Sequence, residues 1–133
     1  ICDGDVAVMY SEEVIDDSCP LTVVRTWTAT DACGNMTSAS QTIIIDDETA
    51  PVLEGVPADA TVECDAVPAP AMVTATDNCD MDIVVLFAED MVIGDCENSY
   101  TLTRTWTATD DCGNQTAGSQ TITVIDTTAP VLS

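Results

Sequence analysis

The sequence predicts an all-β chain of small sandwiches in tandem, from three observations: strict alternation, turn clusters at short intervals, and an internal repeat. The alternation is clearest in Tyr-Thr-Leu-Thr-Arg-Thr-Trp-Thr-Ala-Thr, from Tyr100 to Thr109, where threonine takes every second place. A pleated strand sends successive side chains to opposite faces. Tyr100, Leu102, Arg104, Trp106 and Ala108 therefore share one face and the threonines the other. The strand stops at Asp110-Asp111-Cys112-Gly113-Asn114, a cluster of turn formers. From Ser119 to Ile125 the alternation resumes with Gln120, Ile122 and Val124 on one face, completing an antiparallel hairpin with a cysteine at its tip.

The same hairpin occurs earlier as Arg25-Thr26-Trp27-Thr28-Ala29-Thr30-Asp31-Ala32-Cys33-Gly34-Asn35, 79 positions before its second copy. The register holds through Ser40-Gln41-Thr42-Ile43 against Ser119-Gln120-Thr121-Ile122, and through Thr49-Ala50-Pro51-Val52-Leu53 against Thr128-Ala129-Pro130-Val131-Leu132. Residues 1–13 match residues 78–90, the loop from Cys96 to Arg104 being two residues longer than that from Cys19 to Arg25. The expected division is residues 1–47 as the C-terminal part of a first repeat, 48–127 as a complete second repeat and 128–133 as the start of a third. On this reading the chain begins inside a repeat and belongs to something longer. The Asp-Asp-Glu-Thr-Ala-Pro junction at residues 46–51 is short and ends in proline, which suits a nearly fixed end-to-end joint.

Within the complete repeat, short strands are expected near residues 52–53, 60–64, 72–76, 83–89, 100–109 and 119–125. Pro57, Val67-Pro68-Ala69-Pro70, Asp77-Asn78-Cys79-Asp80 and Gly94-Asp95 punctuate them. That spacing is the pattern of an immunoglobulin-like β-sandwich.

Repeats of this size cannot bury a large core, so cross-links or metals are expected to support them. The chain has seven cysteines. One predicted strand separates each of Cys64, Cys79, Cys96 and Cys112 from the next, so an up-and-down path puts alternate cysteines at the same end. Among three possible connectivities, Cys64 with Cys96 and Cys79 with Cys112 then suit the reach of a disulfide, each closing a loop worth about 3 to 4 kcal/mol. By alignment Cys2 pairs with Cys33, and Cys19 is left unpaired in this window. A redox or zinc role is disfavoured by the absence of C-x-x-C spacing and of histidine. Disulfides imply a location outside the cytosol.

Acidic residues number 24 against two arginines, with no lysine or histidine and a net charge of −22. Phosphate groups would be repelled, so nucleic acid and anionic lipid are poor partners. Catalysis is disfavoured, because the commonest general base and the Schiff-base amine are missing. No catalytic residues are expected, and no apolar run reaches the length of a membrane span. Asp77, Asp80, Asp82, Asp110 and Asp111 should gather at one end of the complete repeat, with Asp3, Asp5 and Asp31 as their counterparts in the partial one. Several carboxylates with loop carbonyls form a candidate Ca²⁺ site, against the alternative that Asp and Asn merely close their own turns. Asp46, Asp47 and Glu48 at the junction are a second candidate. Arg25 and Arg104 lie on the tryptophan face and should be partly buried, Arg104 paired with Glu63 or Glu89.

Asp126-Thr127-Thr128 is similar to the Asp-Ser/Thr-aliphatic-or-Thr signal for O-glycosylation on secreted proteins of Bacteroidetes-type bacteria, which implies sugar on Thr127 or Thr128. Asp47-Glu48-Thr49 departs from that signal. Asn35-Met36-Thr37 and Asn114-Gln115-Thr116 are formal N-glycosylation sequons, but both sit in a hairpin tip where a Gly-Asn turn explains them.

Thr-Ala-Thr-Asp-Asn-Cys at residues 74–79, the Arg-Thr-Trp-Thr-Ala-Thr-Asp-Asp-Cys-Gly-Asn hairpin and the Asp-x-Thr-Ala-Pro junction resemble hyalin-repeat-like, immunoglobulin-like modules. Such modules occur in tandem in large bacterial surface proteins and adhesins; here cysteine stands where many hyalin-type repeats have serine. The resemblance implies an extracellular, multi-copy protein. The expected function is a structural module of a fibre or stalk, glycosylated and stiffened by calcium, whose partners are its own copies or adjacent repeats. The alternative is an adhesin module that binds carbohydrate or a surface. Neighbouring chains completing one another's domains by strand addition is a further expectation.

Overall fold

In the computed structural model, residues 6–133 are described, and the chain divides into two compact units, Ile1–Glu48 and Thr49–Ser133. Every regular element among the described residues is a strand.

The first unit is a three-stranded antiparallel sheet in the order β1-β2-β3, formed by β1 (Ala7–Asp16), β2 (Leu21–Thr30) and β3 (Met36–Ile45). Cross-strand pairing places Tyr10 beside Trp27 and Glu12 beside Arg25. Ala39 stands opposite Trp27 and Ile43 opposite Val23 on the other side.

The second unit has two sheets. The smaller pairs β4 (Val52–Glu54) with β6 (Thr74–Thr76). The larger, in the order β5-β9-β8-β7, is made of β5 (Ala60–Glu63), β7 (Val84–Ile93), β8 (Tyr100–Thr109) and β9 (Gln115–Ile125). The expected hairpin is β8-β9, with Leu102 opposite Ile122 and Trp106 opposite Gly118. Its alternation decides burial: Leu102, Arg104, Trp106, Ala108, Gln120, Ile122 and Val124 all face inward. Val62, Val67 and Tyr100 pack on the cluster of Leu102, Ile122 and Val124. Gly118 is the point of closest approach between layers, since a Cβ there would lie 3.0 Å from Val56 Cγ2 and 3.2 Å from Leu53 Cδ1.

Two expectations change. The path is not simply up and down, because β5 runs parallel to β9, with Ala60 opposite Ile122. Strand β7 continues to Ile93, past the expected end at Glu89, because β8 supplies a partner for every residue as far as Tyr100.

Candidate functional site

The two hairpin tips are closed in the same way. In the first, Asp31 Oδ1 accepts the N–H groups of Cys33 (2.9 Å) and Asn35 (2.8 Å), and Oδ2 accepts Asn35 Nδ2 (2.8 Å). In the second, Asp110 repeats the set toward Cys112 (2.9 Å), the Asn114 amide (2.8 Å) and Asn114 Nδ2 (2.8 Å). Gly34 and Gly113 both take φ 86°, a left-handed conformation that glycine adopts without penalty. The Asn35 side chain, and then its backbone N–H, hold the Asp31 carboxyl below its ordinary range. The asparagines of both formal sequons thus have their side-chain nitrogen engaged in the turn.

At this end of the second unit the remaining acidic residues also converge. Asp77 Oδ2 accepts the N–H groups of Cys79 (2.9 Å) and Asp80 (3.1 Å). Asp80 Oδ1 accepts Asp82 N–H (2.9 Å) and its Oδ2 accepts Asp111 N–H (3.1 Å), which ties the loop before β7 to the β8-β9 tip. Asp77, Asp80, Asp110 and Asp111 are therefore brought together as the sequence suggests. The Asp77, Asp80 and Asp110 carboxylates close the loops, accepting backbone N–H groups and the Asn114 side-chain amide. Among them Asp77 Oδ1 is buried without a hydrogen-bond partner. Asp82 and Asp111 are exposed. Asp3 and Asp5 lie outside the described residues, as does Cys2.

The cysteines differ from expectation. Cys33, Cys64 and Cys96 are exposed thiols, so the structure does not contain the bridges expected for them. Cys19, expected to be left over, is disulfide-bonded. Cys112 is disulfide-bonded, though not to Cys79. The reason for Cys64 and Cys96 lies in strand order. Cys64 follows β5 and donates its N–H to Ile125 O (2.9 Å), while Cys96 lies in the β7-β8 turn at the same end. Strand β9 stands between β5 and β8. Two strand spacings amount to about 9.6 Å, beyond the roughly 7 Å that a bridge spans. Partial desolvation and the Asp126 carboxylate push the Cys64 thiol up, which disfavours the reactive thiolate.

Of the two partners expected for Arg104, the structure selects Glu89. Nε donates to Glu89 Oε2 (2.6 Å) and Nη2 to Pro68 O (2.8 Å). The Arg104 side chain is 4% exposed, whereas Arg25, paired with Glu12 at 2.8 Å, is 42% exposed. Tyr10 O–H donates to the same Glu12 carboxylate (2.7 Å); with Arg25 it holds that group below its ordinary range. Thr127 donates both its N–H and its hydroxyl to Glu63, and Thr128 N–H donates to Asp126. Both threonines are exposed.

Several contacts escaped the sequence reading. Gln120 Nε2 donates to Ala58 O (2.9 Å) and Thr121 N–H to Asp59 Oδ1 (2.8 Å), fastening the segment before β5 onto β9. The rings of Tyr10 and Trp27 lie 5.5 Å apart at 46°. Phe87 and Trp106 lie 5.5 Å apart at 47°. The alignment of residues 1–13 with 78–90 carried that signal, since it puts Tyr10 in the place of Phe87.

Two layered sheets joined around a tryptophan hairpin define an immunoglobulin-like sandwich module. The profile of the HYR-like domain with 4 cysteines matches residues 53–124. The chain belongs to that family. No curated protein matches it in sequence. HYR-like domains are typically extracellular repeat modules. Among the described residues no helix is long and apolar enough to cross a membrane.

Proposed function

We propose that this chain is a non-catalytic structural repeat of an extracellular bacterial fibre or stalk, in which copies follow one another end to end. The observation that carries the reading is the duplication of one hairpin, turn hydrogen bonds included, 79 positions apart. A unit repeated at that level of detail serves as a building block, and the family is one of extracellular repeats. High acidity keeps such an array soluble, and the threonine faces supply hydroxyls for sugar. At the junction signal the acceptor is Thr127, the hydroxyl residue that follows Asp126, and a sugar there would replace its hydrogen bond to Glu63. Partners are adjacent repeats or copies. Antibody raised against the chain and applied to intact source cells should decorate filaments along their length; label confined to the cell interior would overturn the proposal.

The adhesin reading has one observation in its favour. Tyr10 and Trp27, 52% and 39% exposed, offer neighbouring aromatic rings, tilted 46° to each other, against which a sugar face could lie. The equivalent Phe87–Trp106 pair has the same geometry, with Trp106 inside a sandwich, so the pair is first of all a packing motif. Glycan binding that is lost in Trp27→Ala would reverse that preference.

A further inference from the structure

The outer face of the second unit, turned away from the core, carries a polar groove. Because Val62, Ile122 and Val124 pack inward, the alternation of β5 and β9 turns Thr61, Glu63, Thr121 and Thr123 outward. Thr61 stands directly opposite Thr123, and Glu63 opposite Ile125. Asp59, Ala60, Thr61, Thr121 and Thr123 line a shallow groove of about 230 Å³ there. Sites for drug-sized ligands run from about 300 Å³ upward and are mostly apolar. This one is smaller and is walled by hydroxyls and a carboxylate, a surface matched to the hydroxyls of a sugar ring. Asp59 Oδ1 holds the Thr121 N–H (2.8 Å), which leaves the carboxylate a second oxygen. At the other end of β5, Glu63 accepts the N–H and the hydroxyl of Thr127. The groove and Thr127 thus follow one another along one face, Thr123 and Thr127 being separated by about 13 Å of extended chain. The two copies of the repeat differ at both points together: Ile44 stands in the place of Thr123 and Glu48 in the place of Thr127.

We infer that this groove seats a sugar chain carried on Thr127, so that the glycan lies back along β5 and β9 instead of standing free. The inference rests on the reading that Thr127 is glycosylated, and adds where the sugar goes. Transfer from an activated sugar phosphate breaks the bond between the anomeric carbon and the donor phosphate, forms the bond to Thr127 Oγ1, and sends the hydroxyl proton off with the released phosphate. The hydroxyl that Glu63 accepted is then gone. Glu63 accepts hydroxyls of the first sugar instead, the hydroxyls of Thr61 and Thr123 bond the next, and Asp59 closes the groove at its far end. Hydrogen bonds from sugar hydroxyls to the two carboxylates are charge-assisted and so the strongest of the set, while the threonine methyl groups give the ring an apolar floor. The span calls for an oligosaccharide, since a single sugar on Thr127 does not reach Thr121. In the first copy Ile44 replaces a groove hydroxyl and Glu48 offers none to carry a sugar.

The test uses the full chain, produced with isotope labels in glycosylating cells of its source, with intact mass and fragmentation to locate the sugar. Nuclear Overhauser contacts should run from the sugar ring protons to the methyl groups of Thr61, Thr121 and Thr123. Thr127→Val should lose both the sugar and the contacts. Thr123→Ile gives the second copy the residue of the first and suits a strand. It should keep the sugar on Thr127 and lose the contacts to Thr61 and Thr121. A sugar on Thr127 whose protons touch none of the three threonines would overturn the inference and leave the glycan reading standing. So would contacts that persist unchanged in Thr123→Ile. A chain whose mass shows Thr127 bare would overturn the glycan reading, and the inference with it.

Discussion

Strands β2-β3 and β8-β9 have nearly the same sequence and backbone, yet one pair is half bare and the other forms a core. The turns agree to within a tenth of an ångström: Asp31 N–H to Asn35 O is 3.0 Å, and so is Asp110 N–H to Asn114 O. Burial does not agree, because it depends on β4, β5 and β6, which have no counterpart among the described residues of the first unit. Local sequence sets the hairpin, and the cover sets how much each residue contributes.

The largest contrast should come from the tryptophans. Trp106→Ala should cost about 3 to 5 kcal/mol in urea unfolding of the second unit, and Trp27→Ala about 0.5 kcal/mol or less in the first. Equal costs would mean that the tryptophan faces of β2 and β8 are equally covered. Next is the arginine pair. Arg104→Ala should destabilise by about 2 to 3 kcal/mol, below the range for fully buried pairs because the Glu89 side chain keeps 37% of its surface in water. Arg25→Ala should leave the unfolding midpoint unchanged.

Gly118→Ala should cost about 1 to 3 kcal/mol by overpacking Leu53 and Val56, whereas the first unit already carries Ala39 at that point without such neighbours. Turn glycines should then break the pattern of asymmetry. Gly34→Ala and Gly113→Ala each impose a left-handed alanine, about 1 to 2 kcal/mol in both units alike, and circular dichroism melts of the two variants would check this. The smallest effect is that of pH on the first tip. The folded Asp31 carboxyl is depressed, so its contribution is fully present above the ordinary value of 3.8 and fades as pH falls through the lower folded one. The Asn35 amide shift should titrate below 3.8; a midpoint at or above that value would remove the role given to Asp31.

Much of this fold is legible in the residues. Alternation fixes which side of β8 is buried, and Asp-x-Cys-Gly-Asn fixes the turns, because both are properties of neighbours in the chain. The acidic residues are placed at the right end as well, but their use is not legible. Whether a carboxylate points toward an ion or a backbone N–H depends on a few degrees of loop geometry. Cysteine pairing fails for a related reason: counting strands gives the end of the sandwich and not the lateral order. The parallel insertion of β5 beside β9 is encoded in no local pattern.

What the sequence by itself determined is the hairpin, its repeat and the alternation of its faces, since backbone sterics and short-range hydrogen bonds act within a few residues. What only the tertiary structure decided is which tryptophan and which arginine are buried and which cysteines stand near one another. Those depend on segments remote in the chain, such as β5 and the loop at Pro68, coming to lie across the sheet.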